Sequence, residues 1–179
     1  FTANGNVVNN GNVRNNGTGY KFNMNVGGDI SNFGSWENQY TYLISSGTHN
    51  LMQSAGHMIS CYEFNATEGT GLITLMSDFN FHNTKIVLNG ATIELDDSKG
   101  GNLYINGNFM DNGSLIANNH NLFMEGNAYI EDLTLSDATL TGIIQISGDN
   151  VTFNGNTVLN GTLQNYIYTC NVSFLGNFT

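Results

Sequence analysis

One short pattern returns four times in the second half of the chain, and it narrows the available folds more than any other feature. It reads Asn, then Leu or Val, any residue, a large apolar residue, any residue, Gly, Asn. The copies are Asn102-Leu103-Tyr104-Ile105-Asn106-Gly107-Asn108, Asn121-Leu122-Phe123-Met124-Glu125-Gly126-Asn127, Asn150-Val151-Thr152-Phe153-Asn154-Gly155-Asn156 and Asn171-Val172-Ser173-Phe174-Leu175-Gly176-Asn177. A looser form, Ile86-Val87-Leu88-Asn89-Gly90, precedes them. The glycines of these five segments are 17, 19, 29 and 21 residues apart. About twenty residues is the length of one solenoid coil, in which each repeat buries its apolar face only against its neighbours.

A second pattern extends the first. Asn106-Gly107-Asn108 is followed by Asn112-Gly113-Ser114-Leu115, and Asn154-Gly155-Asn156 by Asn160-Gly161-Thr162-Leu163. The start of the chain repeats it as Asn4-Gly5-Asn6, then Asn10-Gly11-Asn12-Val13. Alternation such as Leu103 with Ile105, or Val151 with Phe153, places every second side chain on one face of a strand. The Asn-Gly steps supply residues that tolerate positive φ, as tight corners require. Asn-Gly also favours hairpin turns, so a hairpin array is the rival architecture. Recurrence at one-coil spacing in a constant orientation favours stacked parallel strands. Stacking aligns like residues on successive coils, so corner asparagines are expected to form hydrogen-bonded ladders. Asn106, Gly107, Asn112, Gly113, Asn154, Gly155, Asn160 and Gly161 are the expected corner and ladder residues. The absence of proline fits, because proline removes a ladder donor.

The expected fold is therefore all-β: a right-handed parallel β-solenoid forming a single domain over residues 1–179. Its clearest repeats lie at 86–179, and 20–85 is less regular. In that stretch Leu51, Met52, Ala55, Met58, Ile59 and Tyr62 match helical spacing, with Asn50 and Gln53 as a capping box. Gly56 and the alternation Met58-Ser60-Tyr62-Phe64 favour strand instead.

Charge narrows the function. Four basic residues, Arg14, Lys21, Lys85 and Lys99, stand against a net charge of -10. Nucleic acid needs clustered lysine and arginine, and an anionic membrane surface needs a polybasic patch. Neither partner is expected, and no apolar run is long enough for a transmembrane helix. Only 10% of residues are charged, against about 25% in a typical domain. The 31 asparagines, with serine and threonine, must carry solubility. Cys61 and Cys170 would fall on different coils and are expected to stay unpaired.

Asn106-Gly107-Asn108-Phe109 with Asn112-Gly113-Ser114-Leu115, followed by Asn121-Leu122, resembles the β-helical repeats of filamentous-haemagglutinin-like adhesins. It is also similar to the Asn-, Gly- and Thr-rich repeats of giant Bacteroidota surface proteins exported by the type IX route. The resemblance covers residues 86–179 and the first dozen residues. It implies a right-handed β-helix, an extracellular or cell-surface location, and a role in adhesion or a surface layer. It supplies no catalytic residues. The expected function is a structural segment of a surface filament or adhesin, with a glycan-binding adhesin stalk and a carbohydrate-active β-helix enzyme as alternatives.

Candidate chemistry is sparse. Asp96, Asp97, Asp132 and Asp149, with Glu131 and Asp137, are the carboxylates that could join corner carbonyls around calcium, which takes six to eight oxygens. No D-x-D-x-D loop is present, so a solvated acidic corner is the expectation and no cofactor is required. The spacing of Glu94 and Asp96 would place both on one face if a strand runs through them, and glycoside hydrolysis needs two facing carboxylates. Four scattered cations would not neutralise an acidic polymer. His49, His57, His82 and His120 have no triad-like company and are expected at surfaces or corners. Trp36, Tyr40 and Tyr42 could stack on sugars, although packing is the plainer role. Seven N-x-[S/T] sequons are about what this composition gives by chance. The chain opens on Phe1-Thr2-Ala3-Asn4 and closes on Gly176-Asn177-Phe178-Thr179, so an end-to-end join would continue the pattern. The expected partners are the chain itself, by end-to-end stacking or covalent repetition, and surface glycans or proteins.

Overall fold

The computed structural model describes the chain except residues 18, 20, 68, 100, 107, 108, 127, 167 and 168, and describes the backbone alone for residues 109–112. Among the described residues every regular element is a strand and every strand pairing is parallel. The chain winds through about eight turns, each roughly 21 residues after the last. It is a β-solenoid. The helical spacing in 51–62 is not used: Gly47–Gln53 and Ile59–Ala66 are strands, separated by a turn closed by the His57 N–H on the Ser54 carbonyl at 3.2 Å.

Three ladders of strands run along the rod, and each turn visits them in the same order. The first ladder passes through Asn25, Tyr42, Asn65, Val87, Asp111, Glu131 and Ser147. The second passes through Val7, Ile30, Leu51, Leu75 and Leu95, and beside it through Ile93, Leu115, Leu135, Phe153 and Phe174. The third passes through Val13, Trp36, Ile59, Phe81, Ile105 and Met124, and then through Gly142 and Gly161. Period-two alternation turns every second residue of each strand inward. Trp36, Ile59, Phe81 and Ile105 are fully buried on the third ladder, and Ile73, Ile93, Leu115 and Leu135 on the second. Burying each such side chain contributes about 1.5–3 kcal/mol. The core is thus a column of stacked apolar layers, one per turn.

Asparagine makes the corners in two ways. Asn83, Asn89, Asn118 and Asn119 adopt positive φ, as do Asp132 and Asp137. A short polar side chain tolerates this left-handed backbone because it can hydrogen-bond locally. The side chains then reach to the turn before. The Asn89 amide donates to Asn65 Oδ1 at 3.0 Å and to the Ala66 carbonyl at 2.8 Å, and the Asn118 amide donates to the Leu95 carbonyl at 2.9 Å. Between ladders, Asp78 Oδ1 accepts from the Asn102 N–H and Asn102 Oδ1 from the Asn121 amide. Near the chain end, Asn156 Oδ1 accepts from Asn177 at 2.9 Å.

One amide ladder is internal. Asn9, Asn32 and Gln53 are register partners at the corner between the second and third ladders, and all are buried. The Asn9 amide donates to Asn32 Oδ1 at 2.8 Å, and the Asn32 amide donates to the Met58 carbonyl at 3.2 Å. Asn32→Ala strands these groups away from water. It is expected to cost about 2 kcal/mol, read as a lower urea midpoint. Asn171→Ala, on the exposed surface, should stay within about 0.5 kcal/mol.

Candidate functional site

The carboxylates singled out in the sequence lie on separate turns. Asp96 and Asp97 stand in the connection 96–102. Asp96 Oδ1 accepts from the Ser98 hydroxyl at 2.6 Å, the Ser98 N–H and the Lys99 N–H. The Ser98 hydroxyl, foremost among these donors, holds the Asp96 carboxyl below its usual range. Asp132 and Asp149 meet at a corner two turns from the chain end, where Asp132 Oδ1 accepts the N–H groups of Asp149 at 2.7 Å and Asn150 at 2.9 Å. That oxygen closes a turn. No group of three or more His, Cys, Asp or Glu side chains suited to a metal ion is found among the described residues. Glu94 is half-buried, with Oε1 accepting from the Asn118 amide at 3.4 Å.

The Asn-Gly pairs differ in where they stand: Asn112-Gly113 lies where the chain changes ladder, whereas Asn160-Gly161 lies within a ladder. Asn112-Gly113 lies between residues that pair with Lys85–Val87 and residues that pair with Thr92–Leu95. The Asn112 side chain and Gly107 fall outside the described residues. Asn106 donates to Glu125 Oε2 at 3.2 Å. Asn154 precedes Gly155, which has φ +66° and stacks under Gly176. Asn160 and Gly161 pair with Thr141 and Gly142. Gly161 sits against the carbonyl of Gly142, which itself has φ +108° and sits against the carbonyl of Met124. Glycine recurs here because the turn below fills the space a Cβ would need, which the turn-forming role alone did not reveal.

Histidine corrects one expectation. His49 is not at a surface or corner; it is completely buried in line with Ile73 and Ile93. Nδ1 lies 2.8 Å from the Gly28 carbonyl, and Nε2 lies 3.1 Å from the Ser45 carbonyl. A neutral imidazole carries one N–H: with the proton on Nδ1 the Gly28 carbonyl accepts it, and the Ser45 hydroxyl, 3.3 Å from Nε2, faces the remaining lone pair. Trp36 also packs inside, with Nε1 donating to Asn38 Oδ1 and Thr41 Oγ1, both at 3.2 Å. Tyr40 and Tyr42 stay outside, stacked at 5.7 Å, with Tyr62 edge-on to Tyr40 at 5.6 Å.

Both cysteines are free. Burial pushes the Cys61 thiol up to about 12, against the opposing hydroxyls of Thr84 and Thr41. The reactive species is the thiolate. Cys170, only partly buried, is expected to react first with a disulfide-exchange dye at mildly alkaline pH. Cys61 should react only after denaturant is added. The two readings come from one dye-release trace.

A groove of about 660 Å³ lies at the corner between the second and third ladders. Its origin is a difference in corner length. Between Gln53 and Ile59 the corner has five residues, and between Leu95 and Leu103 it has seven. The turn between them needs three, from Leu75 to Phe79. Two long corners therefore overhang a short one. The floor is a row of side chains from successive turns: Met58 at the end of its corner, and Asn80 and Tyr104, register partners on adjacent strands. Asp78 and Lys99 stand at the sides.

Gln53 ends the internal amide ladder at this groove. It is one methylene longer than Asn9 and Asn32. Its Oε1 turns to accept the Asn80 N–H at 2.8 Å. Its buried Nε2 has no partner, and neither does the buried Oδ1 of Asn80. Tyr104 stacks on Phe123 at 4.7 Å and 7° between planes, which fixes its ring.

Compared with protein-family models, curated proteins and solved structures, the chain matches none.

Proposed function

We propose that the chain is a non-catalytic structural rod, a segment of an extracellular or cell-surface filament or adhesin. One observation carries this reading: the apolar column and the parallel ladders pass from turn to turn along the described strands, so the molecule is a rod built by repeating one unit. Phe153, for example, stacks on Phe174 at 5.3 Å with planes 12° apart. A terminal turn of any such stack offers strand edges with unpaired N–H and C=O groups, to which a second copy can add. The location outside the cell rests on the resemblance of the Asn-Gly repeats to those of surface adhesins.

Negative-stain electron microscopy of the full chain, with and without a calcium chelator, tests the proposal. Filaments of uniform width are expected. Separate rods of roughly 40 Å, the length of about eight turns at strand spacing, would overturn self-assembly. Filaments that vanish in chelator would return calcium to the corner of Asp132 and Asp149.

A further inference from the structure

We infer that the groove over Met58, Asn80 and Tyr104 binds a neutral saccharide. The inference stands apart from the rod's assembly, because it rests on groups within three successive turns. Gln53 Nε2 is a buried donor without a partner, and Asn80 Oδ1 is a buried acceptor without one. Buried polar groups are ordinarily satisfied, so two orphans of opposite sense on residues that line one groove point to a ligand that completes them.

The pair selects the chemistry. A sugar hydroxyl both donates and accepts, and can serve the two amides together. A phosphate or carboxylate would satisfy Gln53 but would face the lone pairs of Asn80. An ammonium group would do the reverse. A peptide strand has no sheet edge to join here, because the floor strands spend their backbone groups on the ladder.

The shape agrees. Met58 and Tyr104 stand two strand spacings apart, about 10 Å, which accommodates one or two sugar rings. The volume of about 660 Å³ lies within the usual range for small-ligand sites. Tyr104 is held by Phe123 on one face, leaving the other toward Asn80 to meet the C–H face of a pyranose. The groove's one carboxylate among the described lining residues is Asp78, whose Oδ1 already accepts the Asn102 N–H at 2.8 Å. That arrangement suits binding, whereas glycoside hydrolysis ordinarily employs a facing pair of carboxylates.

Saturation-transfer NMR on the full chain tests the inference, using maltose, cellobiose, lactose and N,N′-diacetylchitobiose at up to about 10 mM, enough to fill a site with a Kd near 1 mM. Transfer from protein to at least one of them is expected. Tyr104→Ala should weaken it about tenfold, and Tyr104→Phe should keep it within about threefold. Asn80→Ala should also weaken binding about tenfold without lowering Tm, because it removes an acceptor that stabilises nothing in the free protein. A fall in Tm would assign Asn80 to the fold instead and overturn its role. Absence of transfer to all four sugars, or transfer that survives both alanine variants, would overturn the site.

Discussion

Replacing Phe81 with alanine is expected to lower stability by about 3–5 kcal/mol, the range for truncating a buried aromatic. The ring is fully buried, with Phe64 at 5.1 Å and Phe79 at 4.9 Å, and it links Ile59 below to Ile105 above. In a solenoid each turn touches only its neighbours, so the loss is not shared across the molecule. Amide exchange should accelerate first in the strands carrying Ile59, Phe81 and Ile105, before the ends respond. Phe81→Leu, which keeps most of the volume, should cost about 1.5 kcal/mol. Equal acceleration at every strand would mean that the rod unfolds as one unit and that the layered account of its core is wrong.

Gly142→Val should be comparably damaging, about 4 kcal/mol, through two additive causes. At φ +108° a β-branched residue is strained, a penalty of about 1–3 kcal/mol. The Met124 carbonyl occupies the place its Cβ would take, and overpacking adds about 1–3 kcal/mol. Gly56→Ala separates the causes. Gly56 has φ +79° with no atom near its missing Cβ, so it carries the conformational cost alone, about 1 kcal/mol. Urea midpoints for the two variants should therefore differ clearly. If they coincide, the close stacking of glycines between turns does not matter energetically.

The repeat made the solenoid legible because the pattern places apolar residues and glycines where the register later pairs them. Val151 meets Val172, Phe153 meets Phe174 and Gly155 meets Gly176. The stretch 20–85 was harder to read for a physical reason. Its spacings vary as those of the later turns do: 17 residues from Asn25 to Tyr42, 21 from Ile30 to Leu51 and 23 from Trp36 to Ile59. Its inward positions, however, hold Trp36, Thr41 and His49, and its corners are tied by Asn9 and Asn32 from inside. No repeated motif survives such variety, although the backbone repeats. His49 was misplaced because nothing in its neighbours in sequence foretells two carbonyls from other parts of the turn.

The groove was invisible for a related reason. Gln53, Asn80 and Tyr104 belong to three turns and become neighbours only through the register. The available signal is the series Asn9, Asn32, Gln53 at spacings of 23 and 21 residues, in which the last member is too long for the ladder. That series can be recognised only once the coil boundaries are known.

Winding the backbone in stacked parallel turns also fixes how the molecule answers a pull on its ends. Detaching one turn shortens the rod by about 5 Å. The same event frees about 21 residues, roughly 70 Å of extended chain. Tension would thus be relieved by lengthening in steps, one turn at a time, with the remaining turns intact and ready to template rewinding. A tether built this way absorbs sudden load by spooling out slack, and recoils when the load is gone.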